Sequence, residues 1–252
     1  MYGDISPEAK IAEDVKIGSG CLIEKDVFIG KGSKISKGVI IKSGVRIGEN
    51  NDIHPYAVIG DMPQDIKSPK ETGKITIGDS NTIREFSTIN LPIGEVTETK
   101  IGDNNYLMAY SHVGHNCKIG NNVLLVNGAT LGGYSEVEDF AYISAFVPVH
   151  QWVKIGAYSL IGGGFRIIKD LVPFAMAAGS PLRVVSYNSR GLRRNGFSSE
   201  RIEEIKKAFR VLFRSGLNTK QAVEKLRENF KGNEDIKHII GFINKSERGI
   251  VK

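Results

Sequence analysis

Residues 11–53 read IAEDVKIGSGCLIEKDVFIGKGSKISKGVIIKSGVRIGENNDI, and an isoleucine recurs every six residues from Ile11 to Ile53. A period of six fits neither the 3.6-residue turn of an α-helix nor the two-residue alternation of a single strand. It fits a triangular coil in which each side is a short strand with one apolar side chain pointing inward. Glycine, asparagine and aspartate, which favour turns, then occupy the corners.

The repeat continues through the first two-thirds of the chain. From Ile5 to Ile167, 28 positions fall on this spacing, and 25 of them hold Ile, Leu or Val. Three hexads close one coil, and coils stacked at roughly 4.8 Å would form a prism of about eight or nine coils. Two polar stretches, residues 64–74 and 90–100, interrupt the repeat and return it in phase. Because loops on rigid scaffolds often carry function, this first and this second interruption are candidate walls of a site.

The repeat fades near Val172, and the remaining sequence has helical patterns. The apolar spacing and the capping residues predict helices from Ser198 or Ser199 to about Arg214, from Asn218 to about Gly232, and from about Asn233 to Asn244. The predicted fold is therefore mainly β, with a parallel β-helix of hexapeptide repeats in residues 1–180. An α-helical C-terminal domain follows in residues 181–252.

The positive charge is concentrated in the predicted helical domain. Residues 1–180 hold 17 Lys and Arg against 20 Asp and Glu, whereas residues 181–252 hold 17 against 8. A surplus of nine positive charges in 72 residues would attract an acidic partner or a phosphorylated ligand. A solvated helical surface would show the same composition.

Other features of the sequence indicate a cytoplasmic protein. It has no apolar stretch of 18 residues, and its start lacks the pattern of a signal peptide. We therefore expect neither membrane insertion nor secretion, and no nucleic-acid partner. The two cysteines, Cys21 and Cys117, are too few for a disulfide framework, and both take the fifth place of a hexad. Since Val, Ala and Ser fill that place elsewhere, we expect both thiols in the core.

His112 and His115, in SHVGHNC, stand out in a wall dominated by Ile, Gly and Lys. Neither occupies the inward position, so both rings should point outward. They could be ordinary surface residues, or one of them could be a general base, since a neutral imidazole accepts a proton near pH 7. A zinc site that also includes His150 is a further possibility. Gly162, Gly163 and Gly164 indicate either a close approach to the wall or a simple turn.

Several motifs outside the generic repeat are specific. They are PQDIK (63–67), SHVGHNC (111–117), PVHQW (148–152), AAGSP (177–181), GLRRNGF (191–197) and SERGI (246–250). With these motifs the sequence closely resembles the acyl-carrier-protein–UDP-N-acetylglucosamine O-acyltransferases that begin lipid A biosynthesis. The resemblance implies a left-handed winding and a cytoplasmic homotrimer with active sites in clefts between subunits. It also implies transfer of a 3-hydroxyacyl chain from acyl carrier protein to the glucosamine 3-position, with no cofactor and no metal.

The resemblance assigns a role to each matching position. His115 would be the general base for direct attack on the thioester, and the Gly133 N–H would stabilise the oxyanion. Gly163 would set the acyl length. Asp65 and Lys67 match residues that hold the sugar. The positions that match the substrate-lining residues are His112, His150 and Gln151. Asn188 and Arg194 match contacts with the nucleotide and its phosphates.

The sequence departs from the commonest family pattern at three places. Asn116 follows the base where many members have Asp, Tyr134 stands where some have His, and the second interruption lacks an Arg-Gly pair. Two other functions use this type of repeat. One is a sugar O- or N-acyltransferase with an acyl-coenzyme A donor; the other is a zinc-dependent gamma-class carbonic anhydrase, which does not need the helical domain.

Overall fold

The computed structural model describes residues 4–66, 73–94 and 98–252. Short strands form three sheets that are parallel except for the last strand, and each of the first 21 strands pairs with the strand three places further along the chain. Ile5 lies beside Ile23, and Ile23 lies beside Ile41, so neighbouring strands are one predicted coil apart. The predicted fold class is confirmed: a β-helix of hexapeptide repeats precedes a set of helices.

The three sheets are the sides of a triangular prism. The first sheet contains β1 (Asp4–Ile5), β4 (Leu22–Ile23), β7 (Ile40–Ile41), β10 (Val58–Asp61), β13 (Thr88–Asn90), β16 (His112–Val113), β19 (Thr130–Leu131) and β22 (Pro148–Val149). The second contains β2 (Lys10–Ile11), β5 (Phe28–Ile29), β8 (Val45–Ile47), β11 (Lys74–Ile77), β14 (Glu98–Ile101), β17 (Lys118–Ile119), β20 (Glu136–Val137) and β23 (Lys154–Ile155). The third contains β3 (Lys16–Ile17), β6 (Lys34–Ile35), β9 (Asp52–Ile53), β12 (Thr82–Ile83), β15 (Tyr106–Leu107), β18 (Leu124–Leu125), β21 (Tyr142–Ile143), β24 (Leu160–Ile161), β25 (Ala175–Ala178) and β26 (Arg183–Tyr187).

The inward positions of the hexads form the core of the prism. From Ile23 onward these side chains are buried, whereas Ile5, in the first coil, is 41% exposed because no coil covers it. Cys21 and Cys117 are buried in the same core, as predicted. Burial raises the pKa of the Cys117 thiol to about 12, so this group is not a nucleophile at neutral pH.

The corners of the prism use left-handed backbone conformations. At most corners the residue three places after the inward one has a positive φ, as at Gly20 (+69°), Asn50 (+55°) and Tyr134 (+60°). Glycine and asparagine tolerate this conformation, whereas a bulky side chain there is strained. Aromatic residues at such corners stack on one another: the Phe86 ring lies 5.4 Å from that of Tyr56 and 5.2 Å from that of Tyr110.

Three helices follow the predicted pattern. They are α2 (Ser199–Arg214), α3 (Thr219–Asn229) and α4 (Glu234–Asn244). Ser198 caps α2 by accepting a hydrogen bond from the Arg201 N–H, and Asn218 forms the predicted capping box with Gln221. A short helix, α1 (Ser189–Arg194), was not predicted, and it begins directly after β26. β26 pairs antiparallel with β25, so the predicted boundary at residue 180 lies between two paired strands.

None of the helices in the described part of the chain combines the length and the apolar character needed to cross a bilayer.

Candidate active site

Both interruptions and His115 lie at the same corner of the prism, between the first and the second sheet; we call this the loop corner. The first interruption joins β10 to β11, the second joins β13 to β14, and His115 lies between β16 and β17. These connections belong to successive coils. The described part of the second interruption is packed inward, with Leu91 and Ile93 buried. If the interruptions are walls of a site, that site lies at the loop corner. Lys67, in the first interruption, lies outside the described residues.

His115 is at the centre of this corner and is only 6% exposed. Its ring points away from the core, as predicted, but it is covered rather than solvated. Its Nδ1 lies 2.8 Å from Oδ1 of Asn116. The same oxygen accepts the Ile93 N–H at 3.0 Å, and Asn116 Nδ2 donates to the Ile93 carbonyl at 3.1 Å.

This network assigns the tautomer of His115. Because Asn116 turns its oxygen toward the Ile93 N–H, the imidazole Nδ1 must donate to that oxygen. The lone pair of a neutral ring then lies on Nε2. A histidine held in this way can accept a proton through Nε2, which is the chemistry of a general base.

Gly133 lies against the Nε2 side of this ring. A Cβ built on Gly133 would be 2.3 Å from His115 Nε2, so the corner requires glycine here. Among the described residues, the Gly133 N–H has no hydrogen-bond acceptor. A group that can accept a proton and an N–H donor are therefore adjacent, which is the pair that a reaction developing an oxyanion needs.

Two aromatic residues close the corner beyond Gly133. The Tyr134 ring lies perpendicular to the His115 ring at 5.1 Å, and it stacks on Trp152 at 3.8 Å. In the sequence, Tyr134 stands out only as a departure from the family pattern. One feature of the sequence could have indicated its role. Tyr134 and Trp152 are aromatic at a corner position where the earlier coils have Asp26 and Gly44.

His112 lies in β16 and faces outward from the first sheet. Its Nδ1 is 2.7 Å from the Thr88 hydroxyl. Burial lowers the pKa of His112, and the nearby His115 lowers it further, so this ring is neutral at pH 7. His150 and Gln151 follow β22 in the same sheet, and both are exposed. No group of three or more His, Cys, Asp or Glu side chains is arranged to hold a metal ion in residues 4–66, 73–94 and 98–252.

The remaining predicted positions lie elsewhere on the chain. Asp65 is exposed in the first interruption, at the loop corner. Gly163 follows β24 of the third sheet, at the corner where the chain turns back toward the first sheet. Asn188 and Arg194 line a cleft of about 950 Å³ along the third sheet. Asn188 is 6% exposed and caps α1, while its Nδ2 donates to the Tyr158 carbonyl at 2.8 Å.

The family model described as Udp N-acetylglucosamine O-acyltransferase, Domain 2, matches residues 170–251, and the bacterial transferase hexapeptide model matches residues 26–61 and 98–133. An acyl-[acyl-carrier-protein]–UDP-N-acetylglucosamine O-acyltransferase from Thiobacillus denitrificans is 43% identical over 251 residues, which are 98% of this chain and 96% of the relative. The chain belongs to this acyltransferase family.

Solved structures agree with that assignment. A UDP-N-acetylglucosamine acyltransferase from Bacteroides fragilis superposes with a TM-score of 0.97 at 42% identity and covers 100% of this chain and 98% of its own. The enzyme from Francisella novicida gives a TM-score of 0.96 at 37% identity, over 99% of this chain and 92% of its own. In this acyltransferase chain, His115 and Gly133 lie together at the loop corner. Gly163, Asn188 and Arg194 lie toward the third sheet.

Proposed function

We propose that this chain transfers a 3-hydroxyacyl group from acyl carrier protein to the glucosamine 3-position of UDP-N-acetylglucosamine, the first step of lipid A biosynthesis. Its family membership supports the reaction class. The observation that carries the mechanism is the placement of His115 Nε2 beside Gly133. This arrangement pairs a proton acceptor with an oxyanion donor.

The proposed reaction is a direct acyl transfer. His115 Nε2 takes the proton of the sugar 3-hydroxyl while that oxygen attacks the thioester carbonyl carbon. The Gly133 N–H donates a hydrogen bond to the resulting oxyanion. The carbon–sulfur bond then breaks, and the carrier thiolate takes the proton from the imidazolium. His115 and Gly133 perform these steps without a metal or a cofactor, and the buried cysteines take no part.

We propose that the complete site needs a second copy of the chain, in a homotrimer. His115 faces the loop corner, whereas Asn188 and Arg194 face the cleft along the third sheet. Within one chain, the proposed base is therefore far from the proposed nucleotide contacts. A neighbouring prism would supply its own Asn188 and Arg194 to the site, with its Gly163 near the end of the acyl chain. We also propose a cytoplasmic location, consistent with two free thiols, Cys21 and Cys117.

A groove between β26 and α2 is our candidate docking surface for acyl carrier protein. Its floor includes the half-exposed Val185, and the charged side chains that line it among the described residues are Lys206, Arg210 and Arg214. Carrier proteins of this class are acidic, so the attraction would be electrostatic. We expect the KM for the acyl carrier substrate to rise with salt, because ions screen such contacts. A KM independent of salt would contradict this docking.

The decisive test of the function is product analysis. The full-length protein is incubated with UDP-N-acetylglucosamine and a mixture of carrier-protein thioesters, and the product is identified by mass spectrometry. Matched acyl-coenzyme A thioesters compete in parallel, and a 3-amino sugar nucleotide is offered as an alternative acceptor. We expect an O-acylated sugar nucleotide formed from the carrier-protein donor. A preference for coenzyme A would contradict the proposed donor.

Substitution of the base tests the mechanism. We expect His115→Ala to lower kcat by about two to four orders of magnitude while the protein stays folded, since the ring is not in the core. His54→Ala is the control, because His54 lies on an early coil away from the loop corner. Near-normal activity of His115→Ala would remove it from the role of base.

The acyl-length role of Gly163 has its own test. A Cβ built there would lie 3.3 Å from the Ala145 carbonyl oxygen, 3.8 Å from the Ser144 Cβ and 3.9 Å from the Ala145 nitrogen, so a side chain fits after a shift of a few tenths of an ångström. We expect Gly163→Met to shorten the preferred acyl group. An unchanged preference would place the length limit at another residue.

A further inference from the structure

Tyr134 occupies a corner position that is costly for an aromatic residue. Its φ is +60°, in the left-handed region that favours Gly and Asn. The preceding coil has Asn116 at the equivalent place, and the following coil has Trp152. A bulky residue in this conformation indicates a compensating contact or a function.

The contacts of Tyr134 are directed at the base. Its ring lies perpendicular to the His115 ring at a centroid distance of 5.1 Å. On its other side it stacks on Trp152 at 3.8 Å, with only 4° between the two planes. The Tyr134 hydroxyl lies 3.5 Å from the Ile93 carbonyl, at the limit of a hydrogen bond. The hydroxyl contact is therefore marginal, whereas both ring contacts have geometries that aromatic pairs prefer.

These contacts complete the enclosure of the imidazole. Asn116 holds Nδ1, Gly133 lies against Nε2, and Tyr134 lies beside the ring. Without the Tyr134 ring, the hydrogen bond to Asn116 would fix one atom but leave the imidazole free to tilt about it. Edge-to-face aromatic pairs have a preferred perpendicular geometry, which opposes such a tilt.

We propose that Tyr134, supported by Trp152, is a positioning residue that holds His115 Nε2 toward the reacting hydroxyl. The proposal rests on the proposed function, in which His115 is the base. The ring carries this role and the hydroxyl does not. Because this role acts through His115 and involves no contact with either substrate, the loss of Tyr134 should affect the rate of the chemical step more than substrate binding.

The test distinguishes the contribution of the Tyr134 ring to kcat from that of its hydroxyl, and from an effect on the stability of the corner. We expect Tyr134→Leu to lower kcat by about ten- to a hundredfold, since misplacement of a catalytic group by about 1 Å has an effect of this size. The KM for both substrates should stay within about twofold, because ground-state binding is unchanged. Tyr134→Phe, which keeps the ring, should restore kcat to within about threefold of the original.

Tyr110→Leu is the matched control. Tyr110 has the same corner conformation, with φ of +62°, and stacks on Phe86, but it lies at another corner. We expect it to lower thermal stability about as much as Tyr134→Leu while leaving kcat unchanged. If Tyr134→Leu does not fold, Trp152→Leu replaces it, and it should lower kcat with KM unchanged because the supporting stack is removed.

Four results would overturn the proposal. The first is an unchanged kcat in Tyr134→Leu, and the second is a Tyr134→Phe variant as slow as Tyr134→Leu. The third is a loss of kcat in Tyr110→Leu equal to that in Tyr134→Leu. The fourth, if Trp152→Leu replaces Tyr134→Leu, is an unchanged kcat in Trp152→Leu. A failure of the proposed function is distinct, because the unsubstituted protein would then show no transfer from the carrier-protein donor.

Discussion

The Nδ1 atom of His115 lies 2.8 Å from Oδ1 of Asn116, and the Ile93 N–H donates to that same oxygen at 3.0 Å. Asn116 returns a hydrogen bond from Nδ2 to the Ile93 carbonyl. One amide therefore holds both the His115 imidazole and the second interruption. A carboxylate could hold the imidazole, but it could not donate to Ile93.

Two substitutions of Asn116 separate these tasks. We expect Asn116→Ala to lower kcat by about a hundredfold, because the imidazole loses the acceptor that fixes its tautomer and orientation. Asn116→Asp keeps an acceptor for His115 but places a carboxylate against the Ile93 carbonyl. It should keep most of kcat and lower the melting temperature. Steady-state kinetics and thermal unfolding of both variants provide the check, and equal kinetics in the two would contradict separate tasks.

Gly133 gives a second prediction about the base. Since a Cβ there would be 2.3 Å from His115 Nε2, Gly133→Ala must displace the imidazole or the backbone. We expect kcat to fall by about a hundredfold or more, with little change in KM. Gly241→Ala in α4 is the control, because a Cβ there meets nothing within 4 Å. A Gly133→Ala enzyme with unchanged kcat would show that the Nε2 position is not critical.

The period of six was enough to predict the prism, because each inward Ile, Leu or Val is buried only when coils stack above and below it. The positions of Cys21 and Cys117 within the repeat predicted that they lie in the core, and the position of His115 predicted that its ring points away from the core. The repeat also marked the two interruptions, which share the loop corner. These predictions depend on spacing alone, and spacing is visible in the sequence.

The immediate surroundings of His115 could not be predicted in the same way. From the six-residue repeat alone, an outward ring is expected to be exposed to solvent. His115 is instead covered by contacts that cross from one coil to the next. Ile93 reaches Asn116 across 23 positions, and the perpendicular Tyr134 ring comes from the following coil. Which way the Asn116 amide turns depends on those partners. The short helix α1 was missed because its cap, Asn188, is fixed by a bond to Tyr158 in the prism.

A buried row of asparagines offers a test of the prism itself. The Asn81 Oδ1 accepts the Asn105 N–H at 2.9 Å, and the Asn81 side chain donates to Asn51 Oδ1 at 3.1 Å. All three residues are buried. We expect Asn81→Ala to cost roughly 1–3 kcal/mol, since it leaves buried polar groups without partners. Chemical unfolding measures this cost. The exposed Asn127→Ala is the control, and an equal effect of the two would contradict a role for the row.

The contact between α4 and the prism should depend on pH. His238 Nε2 lies 2.8 Å from Glu138 Oε2, which also accepts the Ala157 N–H from the prism. The hydrogen bond with Glu138 raises the pKa of His238 above its usual value, and the charge of Asp235 adds to this, while burial and Lys245 oppose it. A group with a raised pKa in the folded state stabilises the fold below its unfolded pKa, and the effect is lost as pH rises through the folded value.

We therefore expect His238→Gln to lower the melting temperature at pH 5.5, and to lower it progressively less as the pH rises through the pKa of His238 in the folded state. Thermal unfolding at several pH values provides the measurement. The Glu138→Gln variant and the double variant complete the cycle, because the two single effects should not add at low pH if the contact causes them. Additive effects, or a His238→Gln difference that grows as the pH rises, would contradict this assignment.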